Sequence, residues 1–214
     1  MVMKRSKIII VEGPQGTGKT TLSNFFRENL PGANLYRLSG QKDKTLTGKK
    51  YSVIMYNALI EYLGEMQKVP MDMIFDRTFF TEEVYGRLGY KEYSFTDEYQ
   101  KLVKRFDELD YDIYYISLYL NDVELFRQRL ARESHHNYQA FSLENSVNQQ
   151  NEYLKLIDEI CEEQGIEKKF LSLGWIRELK KDGKIRHIVG NVFDLNPASS
   201  YDIVNDKYAT YEVL

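Results

Sequence analysis

Cysteine is almost missing from this chain: one, Cys161, in 214 residues. A single thiol cannot form an intrachain disulfide, so the core must hold by packing alone, as suits a reducing, cytoplasmic setting. Histidine is nearly as scarce, at three. Two of these stand side by side, His135 and His136 in "SHHNYQ", with no cysteine or acidic partner at helical metal-ligand spacing, which argues against a zinc site. There is no apolar run of about 18 residues, so no membrane span is expected. "MVMKRSK" leads into a strand pattern rather than a signal peptide. Nor is there an excess of positive charge: 29 Lys and Arg stand against 32 Asp and Glu, a net charge of -3. That balance disfavours a protein whose main task is to grip nucleic acid. No repeat and no low-complexity linker divides the chain, and its length suits one domain with a full core.

What is abundant is aromatic: 17 tyrosines and 11 phenylalanines. Most should be core. Short apolar runs alternate with helical patterns along the first two thirds. Strands are expected at 7–11, 34–38, 71–75 and 111–120, the last rich in Ile and Tyr. Helices are expected at 19–29, 46–68, 96–109, from Asn121 or Asp122 to about 133, and over 143–164. Pro31-Gly32 and Pro70 stop the first two. Such alternation predicts an α/β fold in three layers, with a mostly parallel five-stranded sheet covered on both faces. The last fifty residues hold two β-like runs around "KKDGK", a hairpin signal, and so suggest a fifth, final strand of the sheet and a small C-terminal β-hairpin extension over about 175–214, with a tail that packs as a helix or covers the sheet edge.

The most specific stretch is "KIIIVEGPQGTGKTTL", Lys7 to Leu22. Four apolar residues precede a glycine-rich turn, and a helix pattern follows. Gly13, Gly18, Lys19 and Thr20 satisfy Gly-x-x-x-x-Gly-Lys-Thr. Gly13, Gly16 and Gly18 let the backbone close around an anion without side-chain clashes. The residues between them, Pro14, Gln15 and Thr17, and Thr21 just beyond, complete the expected cradle. The positive end of the following helix adds to it. Lys19 supplies a point charge for the outer phosphates and Thr20 a hydroxyl for Mg²⁺. The chain is therefore expected to bind a nucleoside triphosphate, ATP with Mg²⁺.

"MIFDRTFFTEEVYG" places Asp76 and Arg77 at the end of the third apolar run. In a parallel sheet the carboxyl ends of the strands share one rim, where ligands sit. Asp76 there can help hold Mg²⁺ or accept a proton, and Arg77 offers a planar fork to an anion. The plainer alternative is a helix cap beside a surface ion pair.

Taken together, "IIIVEGPQGTGKTTL" and "IFDRTFFTEEVYG" resemble the thymidylate kinase-like and deoxynucleoside kinase branch of the P-loop nucleotide kinases. Members carry Glu-Gly at the start of the phosphate loop, here Glu12-Gly13, and Asp-Arg or Glu-Arg after the third strand, here Asp76-Arg77. "ISLYLNDVELFRQRLARE" looks like the strand that leads to their arginine-bearing lid, and the likeness extends to about residue 160. The resemblance implies one kinase domain over 1–214 with a helical lid at about 127–142. It implies that Lys19 steadies the transferred phosphoryl group, with Thr20 and Asp76 at the metal and Arg77 at the acceptor's phosphate or 5′-end. Lid arginines would be among Arg127, Arg129 and Arg132. On a helix Arg129 and Arg132 share a face, though a solvated face explains them as well. The substrate is then a small nucleotide or nucleoside, and a homodimer, common in the branch, stays an option.

The acceptor is less legible. Arg37 in "NLYRLSG" stands where thymidylate kinases carry an arginine after the second strand, but Leu38-Ser39-Gly40 replaces their Glu-Pro-Gly-Gly. Deoxynucleoside kinases have a glutamate there instead. Arg37 and the use of Asp rather than Glu at 76 favour a deoxynucleoside monophosphate, while a nucleoside remains the alternative and Arg37 can also be a plain surface residue. The base should stack on a ring: Tyr56, Phe79, Phe80 or Tyr85, the last matching a tyrosine common in the family, with Asn57 as a weak reader of a base edge. "RLSGQK" echoes a transport-ATPase signature but lacks its second glycine. No Asn-Lys-x-Asp occurs, which disfavours a GTPase. A regulatory nucleotide switch and a polynucleotide 5′-kinase are the other classes left.

Overall fold

A computed structural model describes residues 6–38, 40–118, 123–131, 142–162, 171–179 and 186–189. Four strands make one wholly parallel sheet: β1 (Lys7–Glu12), β2 (Asn34–Arg37), β3 (Met73–Asp76) and β4 (Asp112–Ser117), in the order β2-β3-β1-β4. Between and after them come α1 (Lys19–Asn29), α2 (Leu46–Met66), α3 (Phe79–Arg87), α4 (Thr96–Asp107), α5 (Val123–Ala131) and α6 (Leu143–Glu162). None of the described helices is long and apolar enough to cross a membrane.

β1 explains the layering. Ile8, Ile9, Ile10 and Val11 have no exposed surface. Successive side chains of a strand point to opposite faces, so an unbroken apolar run needs cover on both. Ile9 and Val11 join Ile74 and Ile116 against Leu22 and Phe26 of α1. Ile8 and Ile10 join Phe75 and Tyr115 against the rings of α2, α3, α4 and α6, among them Tyr56, Phe79, Phe80, Phe106 and Tyr153. Each fully buried large apolar side chain stabilises by roughly 1.5–3 kcal/mol, well above the tenths that separate strand and helix propensities. Packing therefore decides the arrangement.

α3 is the element that periodicity does not reveal. Phe79, Phe80, Thr81, Glu82, Glu83 and Val84 are all buried, polar and apolar alike, so no apolar stripe marks the helix. The five-stranded expectation is corrected: among the described residues the sheet has four strands. β5 (Leu171–Leu179) lies near β4 but pairs with β6 (Arg186–Val189), in a separate two-stranded sheet. Its partners ascend along β6 over Leu171–Gly174 and descend over Trp175–Leu179, with register shifts between, so it is not a regular hairpin. Most of the expected lid (132–141) and the tail beyond 189 lie outside the described residues.

Phe26 has no exposed surface and fills the space between α1 and the sheet. Phe26→Ala is expected to lower the unfolding free energy by about 3–5 kcal/mol in a urea titration, as for other large-to-small core changes.

Candidate active site

β1 runs straight into the glycine loop. Gly13, Gly16 and Gly18 have φ of 135°, 80° and 93°. At Gly13 a Cβ would stand 2.4 Å from the carbonyl oxygen of Leu118, the residue after β4, so there is no room for a side chain. Thr17 Oγ1 donates to the Pro14 carbonyl at 2.8 Å and Lys19 Nζ donates to the same oxygen at 2.6 Å, folding the loop over itself. Gly18 is the N-cap of α1, and no acidic residue occupies the first turn. With neither a capping side chain nor a carboxylate there, the positive end of α1 is left to a ligand. α5 closes the loop from outside. Arg129 Nη1 donates to the Gly16 carbonyl at 3.1 Å, and a Cβ at Gly16 would touch Arg129, Leu130 and Phe126 at 3.5–3.6 Å.

The parallel register brings the second motif to the same rim. Val11 and Arg37 both pair with Asp76. Thr20 Oγ1 donates to Asp76 Oδ2 at 3.1 Å, and Arg37 Nε lies 3.7 Å from that oxygen. A second Arg37 nitrogen donates to Asn24 on α1. A cleft of about 610 Å³ is lined by Gln15, Gly16, Gly18, Lys19, Thr20 and Thr21 on one side. Arg37, Leu38, Asp76, Arg77 and Arg129 line the rest. Lys19, Asp76 and Arg77 therefore face one cavity.

Arg77 is, among the described residues, the one non-glycine with positive φ, at 74°. Such a conformation costs on the order of 1–3 kcal/mol and persists only where the surroundings impose it. Its N–H bonds the Val11 carbonyl at 3.1 Å; its guanidinium donates to Tyr85 Oη at 3.3 Å and reaches Gln15 Oε1 at 3.5 Å. Burial disfavours its charge, but Tyr85, Tyr153 and Glu12 outweigh that and hold its pKa above the usual arginine value.

Beneath this turn sits Glu12, with no exposed surface. Its Oε1 accepts from the Thr78 N–H at 2.6 Å and Thr78 Oγ1 at 3.0 Å, and its Oε2 from Thr81 Oγ1 at 2.7 Å. The single Thr81 hydroxyl proton is thus engaged, so Tyr153 Oη, 2.8 Å away, donates to Thr81. Burial pushes the Glu12 carboxyl up to about 7, although Thr81, Arg77 and Thr78 all favour its ionised form.

The expected residues divide sharply. Of the proposed ring contacts, Tyr56, Phe79 and Phe80 are core, fully buried and away from the cleft lining. Tyr56 Oη donates to the Thr78 carbonyl at 3.2 Å, and Phe80 stacks on Phe79 at 4.6 Å and meets Tyr115 edge-on at 4.7 Å. Asn57 bonds the Val53 carbonyl at 2.7 Å and the Arg105 guanidinium. These four serve packing because α2 and α3 turn them toward the sheet and α4. Tyr85 is half-buried and reaches the site through Arg77. Gly13, Pro14 and Thr17 are buried within the loop. Arg127 points outward to Glu124, unlike Arg129. Arg132 lies outside the described residues. No sequence pattern marks Asn24, Leu38, Thr78 or Thr81, and Glu12 figures there only as half of the Glu-Gly pair. A charged residue ending an all-buried strand was the available signal for Glu12.

The donor set suits a nucleoside triphosphate with Mg²⁺. Thr20 and Asp76 offer a hydroxyl and a carboxylate, hard oxygen donors of the kind that Mg²⁺ combines with phosphate oxygens and water. Among the described residues no group of three or more His, Cys, Asp or Glu gathers into a metal cage.

No family model matches the sequence, and no curated protein matches it. Solved structures do match. Thymidylate kinase from Candida albicans superposes with a TM-score of 0.61 at 12% identity, over 98% of this chain and 96% of that one. Deoxyadenosine kinase from M. mycoides with bound dCTP gives 0.53 at 14% identity, over 95% and 100%. The same enzyme with dATP gives 0.52 at 16%, over 94% and 98%. The Pnkp1/Rnl/Hen1 RNA repair complex matches at 0.50 and 15% identity, over 74% of this chain and 47% of that one. The fold of the chain is that of the P-loop nucleotide kinases, and its neighbours include the thymidylate and deoxyadenosine kinases that the sequence resembles.

The Glu12 carboxyl ordinarily titrates near 4.5 and does so at about 7 in the folded protein. The folded state holds a proton that the unfolded chain releases, so this contribution is full below pH 4.5 and is lost as pH rises through 7. It amounts to roughly 3 kcal/mol at most. Wild-type stability should fall between pH 5 and pH 8 in urea titrations, and Glu12→Gln should flatten that fall. Equal pH slopes in the two proteins would show that Glu12 does not carry it.

Proposed function

We propose that the protein transfers a phosphoryl group from ATP to a deoxynucleoside monophosphate, in the manner of a thymidylate kinase. The observation that carries this reading is the charge of the cleft. Lys19, Arg37, Arg77 and Arg129 surround it, against one carboxylate, Asp76, among the described lining residues. A single triphosphate is served by the loop, Lys19 and Arg129. Two further guanidinium groups, of Arg37 and Arg77, line the same cleft and suit a second phosphorylated ligand beside the first. The likeness to thymidylate and deoxyadenosine kinases supports the same reading.

Phosphoryl transfer asks mainly for positioning and for neutralised charge. Loop amides and the α1 terminus hold the donor's phosphates, with Lys19 beside them. Arg129, hydrogen-bonded to the Gly16 carbonyl, brings its charge over the loop from α5. Thr20 and Asp76 would hold Mg²⁺, which when bound offsets charge on the phosphate oxygens. A monophosphate acceptor attacks through an oxygen that is already ionised and needs no protein base. Arg37 and Arg77 then orient it. A nucleoside acceptor would instead have to pass its 5′-hydroxyl proton to Asp76, the carboxylate already engaged by Thr20 and Arg37.

The deciding assay supplies ATP and Mg²⁺ with separate deoxynucleoside monophosphates, deoxynucleosides and a 5′-hydroxyl oligonucleotide, and follows ADP. Release with a monophosphate alone is the expected result; release with a nucleoside or an oligonucleotide moves the acceptor class, and acceptor-independent hydrolysis favours a nucleotide switch. Lys19→Ala should lower kcat by about a hundredfold or more with the fold intact, because the lost charge matters most in the transition state. Arg37→Ala should raise the acceptor KM by about tenfold while leaving that for ATP unchanged.

A further inference from the structure

Past Leu38, the segment Gly40–Lys44 runs over the first turn of α3. What holds it there is a buried charge. Glu82 has no exposed surface, and Lys91 only a little. Lys91 Nζ lies 3.1 Å from Glu82 Oε1, to which Tyr93 Oη also donates. The other oxygen, Oε2, accepts the Gln41 N–H at 3.2 Å. Lys91 closes the circuit by donating to the Gln41 carbonyl. One residue on, the Glu92 N–H bonds the Lys44 carbonyl at 2.9 Å. Gly40 completes the fit: a Cβ there would stand 3.3 Å from Glu82 Oε2 and 3.6 Å from the Thr81 methyl. A glycine at 40 therefore lets the segment approach Glu82 without displacing its carboxylate.

We propose that Glu82, with Lys91 and Tyr93, is a positioning residue that clamps the segment after β2 and thereby sets the acceptor wall formed by Arg37 and Leu38. This rests on the kinase reading for the identity of the ligand, but not for the clamp itself. None of the three side chains lines the cleft, so each acts through the segment it holds. A buried ion pair brings little net stability, because desolvating its charges offsets their attraction. Its contribution is geometric. Three donors converge on one carboxylate: the Gln41 amide, the Lys91 ammonium and the Tyr93 hydroxyl. An amide in its place has one oxygen, and its NH₂ must turn toward one set of donors. Glu82→Gln therefore breaks the clamp on one side while keeping the shape.

The test compares the wild type, Glu82→Gln and the milder Tyr93→Phe as full-length proteins. Hydrogen exchange reads the Gln41 amide directly, and steady-state kinetics with thymidine 5′-monophosphate and ATP reads the wall. Both variants should exchange that amide about tenfold faster and raise the monophosphate KM about tenfold, with the ATP KM within about twofold of wild type. Unchanged exchange overturns the clamp. Faster exchange with an unmoved monophosphate KM, or with both KM values rising together, overturns its role at the acceptor wall. Should Glu82→Gln not fold, Tyr93→Phe decides both arms. If the wild type phosphorylates no acceptor, the kinase reading and the acceptor role fall together, while exchange still decides the clamp.

Discussion

A carboxylate with no access to water sits at the end of the central strand, and the active-site geometry hangs from it. Glu12 leaves β1 where the phosphate loop begins and takes its hydrogen bonds from Thr78 and Thr81, immediately after β3. Burying a charge is costly unless it is hydrogen-bonded. Three donors, with the Arg77 charge close by, make the arrangement tolerable, and in doing so they tie the nucleotide loop to the turn that carries Asp76 and Arg77. The left-handed backbone at Arg77 is the local strain that this tie sustains.

From that junction the cleft acquires its character. Parallel strands end at one rim, so β1, β2 and β3 each deliver something different to it: a loop of amides, Arg37, and the Asp76-Arg77 pair. The helices add the rest, with Thr20 from α1 facing Asp76 and Arg129 from α5 facing Gly16. An excess of cations gathers in a chain whose net charge is slightly negative. Overall charge thus says little about what one cavity attracts.

α3 joins the two halves of the site. Thr81 reaches Glu12, under the glycine loop, while its neighbour Glu82 reaches Gln41, in the segment after β2. The helix is short and wholly buried along its first half, so it has few ways to move relative to either contact. A coupling of that kind needs no flexible hinge. It follows from adjacent residues on a buried helix facing different partners.

The amino-acid sequence by itself determined the phosphate loop, because Gly13, Gly16, Gly18 and Lys19 act through local backbone freedom and charge that need no distant partner. It also determined the alternation of strands and helices and the placing of Asp76 and Arg77 at a strand end, since strict periodicity is a local property. Four strands instead of five, α3, and the sorting of aromatic residues were decided only in three dimensions. Tyr56 and Phe80 look as fit for stacking as Tyr85 when read in line; only the side of the helix turned toward the sheet separates them. Glu12 and Glu82 are likewise ordinary charges in the string of letters. They become structural centres because the fold removes water from around them and brings Thr78, Thr81, Gln41 and Lys91 within bonding distance, contacts that no local pattern encodes.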